Sequence, residues 1–293
     1  MPNNSVSKFY STSVALVFIM LAFNVALPDT VAALLFLLAI ITIGIPHGAL
    51  DFYIAKGLKT KPSIQWQVAF LGLYVFVTLI SISIWLMFPA FGLSVFLLIS
   101  VYHFSSDWAK LLPKKIALAF AAVVLCAPSL VYKASIIESF TKLLVPEAHA
   151  TLISLAMQLL AILSFVFLLV QIKKLSKELR KIKWQIIEIM GLLLSAVLLP
   201  PLVHFVLYFC LLHSAKHWLA VSQSLDLNFK GMVLISAPIV LATVVGGSLA
   251  WWLLPNSAPM TDILRLVFIG LFGLTVAHMV LIDVWQRQQS LQH

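Results

Sequence analysis

TLISLAMQLLAILSFVFLLVQI, residues 151–172, is an unbroken apolar stretch without a charged side chain. About 20 such residues are enough to cross a bilayer as an α-helix. In lipid, a single segment satisfies all its backbone donors and acceptors only as a helix, and a transmembrane strand would instead alternate apolar with polar residues. This stretch therefore predicts a transmembrane helix.

Nine further apolar stretches repeat this pattern along the chain. They are residues 10–27, 30–45, 66–88, 91–104, 116–132, 184–199, 202–222, 232–254 and 263–282. Several are joined by tight, proline-containing connections, which favour antiparallel neighbours. We therefore predict an all-α fold, a polytopic transmembrane bundle of about ten helices, with eight or nine as the alternative count.

Composition excludes a soluble globular protein. The chain is 62% hydrophobic and only 10% charged, whereas a soluble domain has about a quarter charged residues. Its 293 residues hold roughly ten spans with short loops, so we expect a single integral-membrane domain over residues 1–293. The net charge of +9 is spread over loops between apolar stretches, which argues against a nucleic-acid partner.

Basic residues follow the even-numbered stretches and precede the first. They are Lys8, Lys56, Lys59, Lys61, Lys110, Lys114, Lys115, Lys173, Lys174, Lys177, Arg180, Lys181, Lys183, Lys230 and Arg287. Only Lys133, Lys142 and Arg265 fall near the opposite face. By the positive-inside rule, both termini are predicted to be cytoplasmic. We expect a multi-pass protein of the cell inner membrane, surrounded by membrane lipid.

Five of the eight histidines converge under this topology. They are His47 in GIPHGALD, His103 in VYHFSSDW, His213 and His217 in LLHSAKHW, and His278 in AHMVLIDVW. All five are predicted to lie in the cytoplasmic half of the second, fourth, eighth and tenth helices. Ionisable residues within a membrane are costly and mark functional sites.

The spacing of these residues indicates a metal site. His213 and His217 are four apart, which places both imidazoles on one helix face, as a metal anchor requires. Three aspartates accompany the histidines: Asp51 and Asp107 each follow a histidine by four residues, and Asp283 follows His278 by five. Such carboxylates could orient a ligating imidazole or bind the metal themselves.

The residues alone leave three classes of function open. A zinc-dependent, ceramidase-like lipid hydrolase also uses histidines and aspartates, and Ser105 or Ser214 could supply its serine. A proton or metal transporter would need polar residues across the whole bilayer, and the extracytoplasmic half has few. A di-iron desaturase is the third class, but it would need more histidine boxes than this chain contains.

The histidine motifs resemble those of the Brp/Blh-type β-carotene 15,15′-dioxygenases, membrane enzymes that make retinal. The resemblance rests on GIPHGALD, YHFSSDW, HSAKHW and AHMVLID, and it covers the chain from about Gly44 to Asp283. It implies cleavage of β-carotene by O2 at the central double bond, giving two molecules of all-trans-retinal. It also implies a functional link to a microbial rhodopsin.

The resemblance further implies an iron site. By motif, His47, His103, His213 and His217 would bind Fe(II), and His278 would be another ligand or a close neighbour. Imidazoles suit iron among other metals, and an incomplete set of ligands leaves positions open for O2. Asp51, Asp107 and Asp283 would then support the ligands from outside.

Overall fold

The computed structural model describes residues 2–22, 29–57, 62–109, 111–171, 183–253 and 259–290. Within these ranges the chain is almost entirely helical and forms no β-strand. The predicted all-α fold is therefore confirmed.

Fifteen α-helices follow one another in the described ranges. They are α1 (Pro2–Ala22), α2 (Asp29–Ala39), α3 (Ile45–Ala49), α4 (Asp51–Gly57), α5 (Ile64–Met87), α6 (Pro89–Phe104), α7 (Lys114–Cys126), α8 (Pro128–Val131), α9 (Lys133–Lys142), α10 (Glu147–Val170), α11 (Lys183–Leu198), α12 (Pro201–Val206), α13 (Ala215–Leu225), α14 (Phe229–Leu253) and α15 (Pro259–Ser290). Three short segments with other helical geometry lie between them: π-helices at Ile40–Gly44 and Leu207–Ser214, and a 3₁₀-helix at Ser105–Trp108.

Seven helical segments in the described ranges are long and apolar enough to cross a membrane. They are Leu34–Gly57, Ile64–Met87, Pro89–Trp108, Lys114–Val131, Glu147–Val170, Phe229–Trp252 and Met260–Leu281. Shorter apolar helices lie at Ser5–Ile19 and Gln185–Leu198. The predicted stretch 202–222 lies within a run of helical residues from 201 to 225. This set is consistent with the predicted count of about ten. The predicted orientation of the termini stays a prediction.

The chain divides into two compact units, each made of separate segments of sequence. The first unit comprises Met1–Ala32 and Leu93–Lys216, and the second comprises Ala33–Gly92 and His217–His293. The expectation of a single integral-membrane domain stays a prediction.

The first unit is built on two helix pairs. Helix α7 packs against α10, and α7 is buried along most of its length because alanines allow close approach. Helix α1 packs against α11, where Gly191 admits the ring of Tyr10. On α10 the side chain of Ala161 is 1% exposed, whereas Val170 is 74% exposed. An outward face of large apolar residues suits lipid rather than water.

The second unit is built on the pairing of α5 with α15. The two helices pack tightly at Gly273, where a Cβ atom would lie 2.8 Å from Ile82 Cγ1. A separate apolar core joins α4, α13, α14 and α15; it consists of Leu50, Ile54, Ala55, Val221, Met232 and Leu281. One residue of this core, Leu50, directly precedes Asp51 in the sequence.

Candidate metal-binding clusters

The backbone is irregular at three of the predicted histidines. His47 follows the π-helix Ile40–Gly44, His213 lies within the π-helix Leu207–Ser214, and His103 precedes the 3₁₀-helix Ser105–Trp108. The π-helix is wider than an α-helix and the 3₁₀-helix is tighter; π-helical turns are frequent at functional sites, and a 3₁₀ stretch within a helix often marks a functional hinge. Gly44, Pro46 and Gly48 lie beside His47, and residues of these types favour a local departure from a regular helix.

A first set of predicted residues meets within the second unit, and we call it the His47 cluster: His47, Asp51, His217 and His278. His47 Nε2 lies 3.1 Å from His278 Nε2. The ring of His217 is 4.2 Å from that of His47 and 5.4 Å from that of His278, between centroids. Asp51, His217 and His278 offer ligand atoms that all lie within 4.8 Å of one another.

Asp51 fixes the orientation of His278. Its two carboxylate oxygens lie 2.8 and 2.9 Å from His278 Nδ1, and both side chains are buried. A carboxylate only accepts, so Nδ1 carries the proton and the lone pair of a neutral ring is left on Nε2. The Tyr74 hydroxyl donates to Asp51 Oδ2 at 2.7 Å.

A second set meets within the first unit, and we call it the His213 cluster: His103, Asp107, Tyr208 and His213. His103 Nε2 lies 3.0 Å from His213 Nε2. The Asp107 oxygens lie 3.0 and 3.1 Å from His213 Nδ1. The Tyr208 hydroxyl donates to Asp107 Oδ2 at 2.9 Å.

The two clusters share one pattern. In each, a tyrosine donates to an aspartate, the aspartate accepts from Nδ1 of one histidine, and Nε2 of that histidine faces Nε2 of another. The aspartate does not contact the histidine four residues before it; it contacts a histidine that is distant in the sequence, by 227 positions for Asp51 and His278. The sequence left two roles open for these carboxylates, orienting an imidazole or binding the metal. Asp51 and Asp107 both make the contact expected of an orienting group.

The distances between imidazole nitrogens fit metal ligation. Two nitrogens bound at about 2.1 Å to one ion, with an angle of about 90–110° between the bonds, lie about 3.0–3.4 Å apart. The two Nε2 pairs, at 3.1 and 3.0 Å, fall at this separation. His47, His103, His213 and His278 are all buried, as ligands shielded from competing water should be.

The remaining predicted residues are placed as follows. The side chain of Asp283 lies outside the described residues. Ser105 Oγ donates to the backbone oxygen of Tyr102 at 2.6 Å, which occupies the hydroxyl that a serine-dependent hydrolase would need. Ser214 is buried, and its hydroxyl has no hydrogen-bond partner among the described residues.

The sequence did not point to Tyr74, Tyr208 or Glu188. Glu188 is fully buried in the first unit; it accepts from Ser7 Oγ at 2.6 Å and pairs with Lys216 Nζ at 2.6 Å. An acidic residue inside an apolar stretch is a signal that could have found Glu188. Tyrosines are common in membrane helices, so no such signal marked the other two.

The family profile described as Beta-carotene 15,15'-dioxygenase matches residues 38–286. The chain belongs to this family. The matched range contains every residue of both clusters, and the assignment confirms the resemblance drawn from the histidine motifs.

A named relative supports the same family. The protein "Beta-carotene 15,15'-dioxygenase" from uncultured marine bacterium 66A03 is 31% identical over 260 residues, which cover 86% of this chain and 93% of the relative. No solved structure matches the chain.

Proposed function

We propose that this member of the family cleaves β-carotene at its central 15,15′ double bond with O2 and an Fe(II) cofactor, giving two molecules of all-trans-retinal. The observation that carries the proposal is the family match over residues 38–286. The two histidine clusters, in each of which an aspartate orients one imidazole, support it because they supply donors suited to iron.

The substrate class agrees with the surface of the protein. β-Carotene is a hydrocarbon that dissolves in the bilayer, and the membrane-length helices expose large apolar side chains such as Leu163 and Val170. An enzyme embedded in the cell inner membrane would meet this substrate without extracting it into water. The retinal product is apolar enough to leave by the same medium, where a microbial rhodopsin could take it up.

The reaction balances without a further co-reactant. One molecule of O2 is consumed, the central carbon–carbon double bond breaks, and each of its two carbons gains a carbonyl oxygen. Fe(II), when bound, would supply the redox chemistry that activates O2.

The chain's own residues would hold the metal and keep its surroundings dry. In the first unit the proposed ligands are His103 and His213, and in the second unit they are His47 and His217. His278 is a further candidate in the second unit because its Nε2 faces that of His47. Asp51 and Asp107 hold the Nδ1 protons of His278 and His213, which leaves each Nε2 available as a ligand.

The experiment is expression of the chain in bacteria that accumulate β-carotene, followed by extraction and measurement of retinal. Wild type should produce retinal and bleach the cells, and His213→Ala should not. His204→Gln is the matched control, because His204 is another buried histidine of the first unit but bonds Ser195 and a backbone oxygen; it should still produce retinal.

Two results would refute the proposal. One is cells that keep their carotene and contain no retinal although the wild-type protein is present in the membrane with iron supplied. The other is purified wild-type protein that holds zinc rather than iron and hydrolyses a lipid amide, which would favour the hydrolase.

A further inference from the structure

Each aspartate of the two clusters has a second partner, and in both cases it is a tyrosine. Tyr74 on α5 donates to Asp51 at 2.7 Å, and Tyr208 in the π-helix donates to Asp107 at 2.9 Å. The family match and the histidine motifs assign these tyrosines no role. The same arrangement has been built twice, from different helices, in two separate units.

The hydrogen bond from each tyrosine also fixes the rotation of the carboxylate that accepts it. Both oxygens of Asp51 are nearly equidistant from His278 Nδ1, so the imidazole alone does not determine how the carboxylate is rotated. The Tyr74 hydroxyl reaches only Oδ2. A buried carboxylate with one oxygen held in this way cannot turn to present a different face to the ring.

Tyr74 has one alternative acceptor, and it is the weaker one. Its hydroxyl lies 3.4 Å from the backbone oxygen of Leu274, against 2.7 Å from Asp51. A hydrogen bond to a charged carboxylate is also roughly twice as strong as one to a neutral oxygen. The single hydroxyl proton therefore belongs to Asp51.

In the first unit the ring of Tyr208 packs against two other aromatic side chains. It stacks on Trp108 at 6.1 Å with an interplanar angle of 9°, and it meets the edge of Phe104 at 5.0 Å, between centroids. Tyr208 is 2% exposed. The hydroxyl of a ring packed in this way holds one oxygen of Asp107 in place, and through that carboxylate it orients the His213 imidazole.

We propose that Tyr74 and Tyr208 are positioning residues for the metal ligands, each acting through its aspartate to hold one imidazole with Nε2 presented for coordination. The inference rests on the metal binding proposed above. Loss of a group that bonds a metal-ligating histidine lowers metal affinity by about 10–100-fold, which is the effect expected for Asp51→Asn and Asp107→Asn. Tyr74→Phe and Tyr208→Phe act one bond further from the metal and should lower affinity by up to about 10-fold.

The test measures metal binding in the purified full-length protein rather than turnover. Wild type and variants are titrated with Fe(II) under anaerobic conditions, and separately with Co(II), whose visible absorption reports ligand geometry. Both tyrosine variants should bind metal more weakly, by up to about 10-fold, with an altered Co(II) spectrum. Tyr10→Phe is the control in the first unit, because Tyr10 is buried but its hydroxyl faces Ser195. Tyr53→Phe is the control in the second unit, where Tyr53 is half-buried.

A double-mutant cycle separates positioning from simple packing. In an Asp107→Asn background, Tyr208→Phe should cause little further loss of affinity, because the tyrosine acts through the carboxylate. Additive losses would mean that Tyr208 acts independently of Asp107, which would overturn the proposal. Tyr74→Phe with Asp51→Asn repeats the cycle in the other unit, so a folding failure of one variant does not decide the outcome.

The outcomes distinguish this inference from the function on which it rests. If wild type binds metal and the tyrosine variants bind it equally well, the positioning role is refuted and the proposed function stands. If wild type binds neither Fe(II) nor Co(II), the metal binding within the proposed function is refuted, and the positioning role with it.

Discussion

Replacing Lys216 with methionine should destabilise the protein far more than a similar change at its surface. Lys216 Nζ lies 2.6 Å from Glu188 Oε1, with 9% and 0% of the two side chains exposed. Trp108 Nε1 and Ser7 Oγ also approach this carboxylate, at 3.3 and 2.6 Å. Lys216→Met removes the only cation that these contacts provide and leaves the carboxylate buried.

The size of the effect follows from burial. Removing one partner of a buried ion pair costs about 3–5 kcal/mol, because the other charge is left uncompensated. For a chain of this size, each 1 kcal/mol shifts the midpoint of thermal unfolding by about 2–4 °C. Lys216→Met should therefore lower the midpoint by roughly 6 °C or more.

The control pair has the same separation but a different environment. Lys142 Nζ also lies 2.6 Å from a carboxylate, that of Glu138, but these side chains are 35% and 64% exposed. Water screens an exposed pair, so Lys142→Met should leave the midpoint within the scatter of repeats. Thermal unfolding of the purified variants in one detergent, followed by circular dichroism, makes the comparison.

The double variant tests the cause. Glu188→Gln removes the buried charge, so Lys216→Met combined with it should recover much of the lost stability. The reasoning is wrong if the buried and exposed lysine variants melt together. It is also wrong if adding Glu188→Gln makes Lys216→Met less stable still.

Two further predictions concern packing and the histidine outside the clusters. Gly273→Ala should destabilise the protein by about 1–3 kcal/mol, because the new Cβ would meet Ile82 and Thr78. A Cβ atom at Gly270 would meet no other atom within 4 Å, so Gly270→Ala should not destabilise the protein. The thermal midpoints of the two variants make the comparison. His204→Gln should lower the free energy of unfolding by about 1–3 kcal/mol, because the hydrogen bonds of His204 are lost. The metal content, measured by mass spectrometry, should stay unchanged; loss of metal would show that His204 takes part in metal binding.

The transmembrane helices could be predicted from the sequence because their cause is local. An apolar stretch in lipid must form its own backbone hydrogen bonds, so length and hydropathy are enough to place it. Helix α9, Lys133–Lys142, was not among the predicted elements. It is short and largely polar, and no lipid constraint marks it in the sequence.

The candidate site was predictable in its residue types but not in its pairings. Clustered histidines and the step from His47 to Asp51 indicated metal chemistry with carboxylate support. The partner of Asp51 is His278, 227 positions away, and that contact depends on how helices pack within the second unit. Tyr74 enters for the same reason, since only packing brings its hydroxyl to Asp51.

The most direct test of the proposed function is the molar ratio of product to substrate. Purified protein loaded with Fe(II) is supplied with β-carotene in detergent micelles under O2, and retinal and remaining β-carotene are separated and quantified by chromatography. Central cleavage predicts two molecules of retinal for each β-carotene consumed. Cleavage products of unequal length, or β-carotene left intact by protein that has bound iron, would contradict it.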